Sequence, residues 1–257
     1  MNLESTTKKL LFYWQKINLF LLDALFPIAC LLCQKKNIWL CDKCVEKLPL
    51  LSFQLCPYCE KEITQDGAIC AHCKKYQFEK NSFLALDALV CATDYQKIAK
   101  FVHLFKYNFV TELGAPLGKI IVRALQKNNL ALSDFIIPIP IHRRKLKWRG
   151  FNQAEILASA ISQNLTPGLS LPVRPDLVFR QKKTRAQMKI KNYLARLENL
   201  RDAFALTPDA EQSIKGKKIL LIDDIATTGA TLFECAKTLK NAGAKEVTAA
   251  IIARQKI

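Results

Sequence analysis

Four apolar residues in a row, at positions 219–222, follow two lysines in the last fifth of the chain. A run of this kind predicts a strand buried on both faces, which is typical of a parallel sheet. Apolar residues then return at the spacing of one helical face, at positions 232, 235, 236 and 239, and Gly243 ends the pattern. The sequence therefore predicts a strand, a short loop and a helix.

The same alternation continues upstream and predicts an α/β fold, a parallel sheet flanked by helices. Helices are predicted over residues 95–107 and 112–127, and a third ends near Leu165. Strands or short extended segments are predicted over residues 85–92, 134–141, 177–179, 203–206 and 246–253.

The N-terminal stretch over residues 8–26 is largely apolar, but polar residues interrupt it and Pro27 ends it. No uninterrupted run approaches the ~20 residues that span a bilayer. A secretory or lipoprotein signal is an alternative interpretation. We predict an apolar-faced helix that leads into the cysteine-rich region, and we leave contact with a membrane surface open.

Eight of the ten cysteines form four C-x-x-C pairs. They are Cys30, Cys33, Cys41, Cys44, Cys56, Cys59, Cys70 and Cys73. Two such pairs complete a tetrahedral four-thiolate site, so we predict two structural zinc ions and a reducing cytoplasmic environment. Sequential pairing closes shorter loops than interleaved pairing and is favoured, while an iron–sulfur cluster could use the same ligands. We place the N-terminal helix and this double ribbon in residues 1–80 and the α/β domain in residues 81–257.

The loop after the strand at 219–222 carries two acids and then a Thr/Gly-rich turn. Its residues are Asp223, Asp224, Ala226, Thr227, Thr228, Gly229, Ala230 and Thr231. Backbone amides and the dipole of a helix N-terminus attract phosphate, while the hydroxyls add donors and glycine permits close approach. The two carboxylates could accept hydrogen bonds from sugar hydroxyls. Phosphate donors beside diol acceptors predict a ribose 5-phosphate site.

The chain has 39 Lys and Arg against 22 Asp and Glu, a net charge of +17, which suggests a polyanionic partner. Five of these cations lie between positions 143 and 149, at the end of the predicted strand 134–141. The carboxyl rim of an open α/β sheet is where ligands bind. Arg143, Arg144 and Arg149 could therefore hold a pyrophosphate or a nucleic-acid backbone, with Trp148 stacking on a base. A basic connection near residues 180–200 has the character of a lid.

These motifs together resemble the ComF family. The resemblance rests on the eight-cysteine ribbon, Arg-Gly-Phe-Asn-Gln at 149–153, Thr-Arg-Ala-Gln at 184–187, and the 223–231 motif, which is similar to the ribose-phosphate signature of type I phosphoribosyltransferases. It implies a type I phosphoribosyltransferase fold that takes phosphoribosyl pyrophosphate (PRPP) or a ribose 5-phosphate, with Mg²⁺ bound beside PRPP. Ala186 stands where the family pattern leads us to expect proline.

The resemblance also implies a role in natural transformation, in which single-stranded DNA crosses the inner membrane. Its implied partners are single-stranded DNA and a competence helicase, at the inner face of the cytoplasmic membrane. In the pocket, Asp223 and Asp224 would carry the catalytic roles, and Arg185 would join the other arginines on the pyrophosphate.

The sequence leaves three functions open. The chain could transfer phosphoribosyl to an unidentified acceptor, it could use the same pocket as a DNA-uptake accessory without turnover, or it could sense PRPP as a regulator. No residue set for an acceptor base is evident, so whether the protein is an enzyme stays open.

Overall fold

The computed structural model describes residues 28–79, 85–130, 132–182 and 200–255. The predicted helix at 8–26 and most of the predicted lid, including Arg185, lie outside the described residues. Within the described part, no helix has the length and apolar character needed to cross a bilayer. The chain divides into two compact units, one ending at Lys47 and the other beginning at Leu48. The domain boundary near residue 80 stays a prediction.

Helix α1 (Asp42–Lys47) belongs to the first unit. The second unit begins with an antiparallel hairpin, β1 (Gln54–Leu55) and β2 (Ile63–Thr64), followed by helix α2 (Ala71–Glu79). Further along come β3 (Ala88–Asp94), α3 (Tyr95–Tyr107), α4 (Gly114–Lys127), β4 (Phe135–Pro138), α5 (Arg143–Arg149) and α6 (Gln153–Asn164). The last elements are β5 (Val178–Arg180), β6 (Phe204–Leu206), α7 (Ala210–Ile214), β7 (Lys218–Ile222), β8 (Ile225–Ala226), α8 (Ala230–Asn241) and β9 (Glu246–Arg254).

The main sheet is parallel, in the order β3-β9-β7-β4, with β8 paired to β9. Strand β7 lies in its interior, as the unbroken apolar run predicts. Ile219 and Leu221 pack with Leu232 and Leu239 of α8 in one core. Helices α4 and α6 pack against each other and against strands of the sheet. The predicted parallel sheet with flanking helices is confirmed.

Two local features determine where α3 begins and how closely α4 packs on α6. The Asp94 carboxylate accepts from the Gln96 amide at 2.7 Å and caps α3. Between α4 and α6, a Cβ on Gly118 would lie 2.6 Å from Cβ of Ala160, so the close approach of these helices requires glycine. The buried residues of α3, at the spacing of one helical face, are Ile98, Phe101, Val102 and Phe105.

The eight cysteines form two clusters, Cys30, Cys33, Cys41 and Cys44 in one, and Cys56, Cys59, Cys70 and Cys73 in the other. This is the sequential grouping. A tetrahedron with Zn–S bonds of about 2.3 Å has edges of about 3.8 Å. The sulfurs of Cys33 and Cys41 are 3.6 Å apart, and those of Cys59 and Cys70 are 3.9 Å apart. Both donor sets therefore fit zinc, one within each compact unit.

We expect purified protein to contain two zinc ions per chain, because each cluster offers four thiolates and no open position. Metal analysis by mass spectrometry measures this directly. Cys70→Ser should lower the content to about one ion, and Ser213→Ala, a residue of α7 that belongs to neither cluster, serves as the control. Iron in place of zinc, or no metal at all, would reject the assignment.

Candidate functional site

Two acids end strand β7, and the structure buries them more than the sequence suggests. As the last residues of a strand they are expected to be surface groups, but Asp224 is only 6% exposed and Asp223 is half-buried. The Asp224 carboxylate accepts from the Ile225 amide at 2.6 Å, and that of Asp223 accepts from the Asp224 amide at 2.8 Å. The expectation of a surface acid is therefore wrong for Asp224, whose carboxylate is buried.

Lys106 in the last turn of α3 neutralises part of this buried charge. Its Nζ lies 2.9 Å from Oδ1 of Asp224. Burial opposes the charged amine, but the carboxylates of Asp224 and Asp223 outweigh it and raise the pKa of Lys106. Burial and the Asp224 charge raise the pKa of Asp223 to about 7, against the opposing pull of Lys106. Asp223 is therefore partly protonated at neutral pH.

Three more cations lie within electrostatic reach of the pair. Burial lowers the pKa of Arg149, and the Asp224 carboxylate counteracts it. Partial burial, Arg149 and Lys106 lower the pKa of Lys145. Burial lowers the pKa of Arg180, and Asp223 counteracts it. Among the described residues, four cations, Lys106 included, interact with the two acids, and this excess of positive charge suits an anionic ligand.

Arg149 retains hydrogen-bonding capacity inside this cluster. It is 7% exposed, and its Nη1 donates to the Gln153 side-chain oxygen. Its Nε is buried and has no acceptor among the described residues, and the same holds for Nε2 of Gln153. Buried donors of this kind are costly unless a ligand or water accepts from them.

The structure separates the three arginines that the sequence groups together. Residues 143–149 form helix α5, capped by His142, whose Nδ1 accepts from the Arg144 amide at 3.2 Å. Arg143 and Arg144 lie exposed in the first turn, whereas Arg149 is buried at the end. Arg149 therefore belongs to the acid site, and the other two belong to an outer surface.

This outer surface also carries aromatic rings. Trp148 is 62% exposed and meets Phe109, 41% exposed, edge to face with centroids 5.4 Å apart. The Arg149 guanidinium lies 5.8 Å from the Trp148 ring centre. Phe151 is half-buried and packs against Phe105 and Phe109. We call Arg143, Arg144, Lys147, Trp148 and Phe109 the α5 surface.

The predicted phosphate loop leads from the acids into α8. Gly229 adopts a left-handed conformation, with φ at 73°, immediately before the first residue of the helix. The Thr228 hydroxyl accepts weakly from the Ala230 amide at 3.4 Å. The side chains of Thr227, Thr228 and Thr231 are half-buried. The N-terminus of this helix is thus set beside the acid pair, as the spacing of the motif predicts.

Lys106 and Arg254 at the site carry no sequence signal, and Arg180 is marked only as the first residue of the basic connection near 180–200. Lys106 follows a buried phenylalanine in α3, and Arg180 ends a short strand. Arg254 lies at the end of β9 and donates from Nε to the Thr227 carbonyl at 3.2 Å. Tertiary packing brings each of them to the loop, and the 223–231 motif does not contain them. The role predicted for Arg185 stays a prediction.

Two family models match the chain. A phosphoribosyl transferase domain matches residues 151–257, and a double zinc ribbon domain matches residues 21–74. The first match includes the acids and the phosphate loop, and the second includes all eight clustered cysteines.

Curated relatives match most of the chain. Competence protein F of Haemophilus influenzae is 28% identical over 81% of this chain and 87% of its own length. DNA utilization protein YhgH of Escherichia coli (strain K12) is 28% identical over 75% of this chain and 81% of its own. Competence protein ComFC of Bacillus subtilis (strain 168) is 24% identical over 79% of this chain and 78% of its own. This chain is thus similar to these competence and DNA utilization proteins over most of its length, and it matches the models of both domains.

Proposed function

We propose that this protein binds PRPP or another ribose 5-phosphate and acts in natural transformation, in the import of single-stranded DNA across the inner membrane. One observation carries the first half: a buried acid pair and a helix N-terminus meet at the carboxyl end of β7, among four cations. The relatives named as competence and DNA utilization proteins support the second half.

Each part of the ligand has a partner in this pocket. The loop at 226–231 supplies amides and hydroxyls for the 5-phosphate. The half-buried carboxylate of Asp223 accepts hydrogen bonds from the ribose hydroxyls. The carboxylate of Asp224 is paired with Lys106 and keeps that cation beside the site. Arg149 and Lys145 lie on the side of α5 that faces the acids and would hold the pyrophosphate.

Mg²⁺, when bound with PRPP, neutralises pyrophosphate charge and keeps several of its waters, so it needs few protein ligands. The carboxylate of Asp223 is the oxygen donor that the site leaves available, since Asp224 is paired with Lys106. The donor chemistry is therefore compatible with magnesium.

A phosphoribosyltransferase with an unidentified acceptor is the alternative function. Departure of pyrophosphate from the anomeric carbon leaves an oxocarbenium-like centre, and fixed carboxylates nearby stabilise such a charge. Release of pyrophosphate only in the presence of an acceptor would favour this alternative. Tight PRPP binding with no release, across bases and nucleosides, favours the accessory role.

The α5 surface supports contact with single-stranded DNA. Exposed cations track a phosphate backbone, and exposed aromatic rings stack on bases without reading their sequence. Trp148 and Phe109 supply the rings, and Arg143 and Arg144 supply charge beside them. The helicase partner, the membrane contact of residues 8–26 and the location at the inner face of the cytoplasmic membrane stay predictions.

Asp223→Asn should weaken PRPP binding at least about tenfold in the presence of Mg²⁺, because the amide cannot replace a charged acceptor that both hydroxyls and magnesium use. Titration calorimetry measures the dissociation constant. Glu211→Gln, which removes an exposed acid from α7, is the matched control. Unchanged affinity in Asp223→Asn would show that the ribose is not held here.

The same variant should stabilise the ligand-free protein at high pH. The folded pKa of Asp223 is raised to about 7 from 3.8, so the folded state binds the extra proton between these values and the free energy of unfolding falls as pH rises through them. The full pKa difference corresponds to about 4 kcal/mol, so Asp223→Asn should gain several kcal/mol at pH 8 and less at pH 5. Urea unfolding at both pH values measures the difference, and a gain independent of pH would contradict the raised pKa.

The double variant Arg143→Ala with Arg144→Ala should weaken single-strand binding and lower its salt slope by about 1.4, at ~0.7 per lost phosphate contact. Trp148→Ala should weaken binding with an unchanged slope, since stacking releases no counterions. Lys215→Ala with Lys245→Ala removes the same charge from exposed positions at the other end of the sheet and serves as the control. Equal losses in both double variants would make the effect one of net charge alone.

A further inference from the structure

The first C-x-x-C turn of the second cysteine cluster, residues 56–59, is closed by a backbone hydrogen bond. We call this turn, together with Glu60, the knuckle. The Glu60 amide donates to the Cys56 carbonyl at 3.0 Å and closes the turn, and Glu60 adopts a left-handed φ of 56°. Cys56 and Cys59 direct their sulfurs into the four-thiolate cluster. Tyr58 lies between these two cysteines and Glu60 follows the second. A metal bound by the cysteines would therefore hold both residues in defined positions.

Tyr58 contacts the beginning of helix α8. Its ring lies 4.9 Å from that of Phe233, at 45°. The Phe233 amide donates to the Gly229 carbonyl at 3.0 Å, in the first turn after the phosphate loop. The Tyr58 hydroxyl also accepts from the Leu86 amide at 3.1 Å, which fixes the ring from the other end.

Glu60 reaches the same loop through an arginine. Its Oε1 lies 2.8 Å from Nη2 of Arg254, whose side chain is 14% exposed. The Nε of the same guanidinium donates to the Thr227 carbonyl at 3.2 Å. In a trans peptide the carbonyl and the next amide point in opposite directions. Holding the Thr227 carbonyl toward Arg254 therefore turns the Thr228 amide away from it.

Gly229 permits both contacts at once. A Cβ at this position would lie 3.1 Å from Cε2 of Phe233 and 3.2 Å from Nη2 of Arg254. The glycine of the phosphate motif thus faces the two side chains that the knuckle engages. The phosphate loop is therefore restrained by the hydrogen bonds of its own turn and also by the contacts of Phe233 and Arg254 with the ribbon.

We propose that the second zinc ribbon orders the phosphate loop at 226–231, with Tyr58 and Glu60 as the positioning residues. Zinc in this cluster then raises affinity for a phosphorylated ligand by holding the loop amides in their binding orientation, since a preordered site loses less conformational entropy on binding. The affinity part rests on the proposed function, whereas the ordering of the loop does not.

Hydrogen exchange of the loop amides in the zinc-loaded, ligand-free protein tests the ordering. Glu60→Gln removes the ion pair, and Tyr58→Leu removes the ring contact without changing charge. Each should speed exchange at residues 227–231 about fivefold, beyond any change in global stability, with the zinc content unchanged. Glu62→Gln removes the same charge from an exposed position of the same ribbon and should leave exchange as it is. Unaltered loop exchange in both Glu60→Gln and Tyr58→Leu overturns the proposal.

PRPP affinity tests the consequence. Glu60→Gln should bind PRPP about fivefold more weakly than Glu62→Gln, a comparison in which the loss of one negative charge cancels. Cys59→Ser should lose one zinc ion and weaken binding, whereas Cys33→Ser loses one from the other compact unit, to which none of these contacts belongs. Equal affinities in the two glutamate variants overturn the coupling. A wild-type protein that binds no PRPP rejects the proposed function, and loop exchange still decides the positioning role.

Discussion

Two adjacent carboxylates follow a buried parallel strand, and their charge requires cations from the helices and strands packed around them. Adjacent like charges repel strongly where water is excluded, so one of them must be paired and the other must share a proton. Lys106 pairs with Asp224 at 2.9 Å, and Asp223 is left with a pKa of about 7. The end of α3, the buried end of α5 and the strand containing Arg180 all bring cations to this point. Such an arrangement lowers stability and is expected where function requires it.

The sequence specifies the parts of the site that are local. The acids, the glycine and the threonines lie within nine residues, so their conformation follows from one strand, one turn and one helix start. It does not specify Lys106, Arg180 or Arg254, because each reaches the loop only when separate strands and helices pack. It also groups Arg149 with Arg143, although residues five or six positions apart on a helix point to different sides. Recognising residues 143–149 as a helix is what would have separated them.

The cysteine pattern predicts both four-thiolate clusters and their sequential grouping, because loop length and ligand chemistry suffice. It does not predict that the second cluster lies in the compact unit of the sheet, since that depends on which side chains between the ligands find partners. Tyr58 and Glu60 are such side chains, and they meet Phe233 and Arg254 from distant parts of the chain. Through these two side chains the second half of the ribbon contacts helix α8 and strand β9.

An acid that titrates near neutrality makes the charge of the pocket variable. Four cations face two negative charges when Asp223 is ionised and one when it is protonated. On the proposed function, the protonated form would favour a polyanionic ligand, and the ionised form would accept hydrogen bonds from its sugar hydroxyls. The negative charge of such a ligand favours the protonated acid, whereas its hydroxyls and a bound cation favour the ionised one, so binding would be accompanied by a change in the protonation of Asp223.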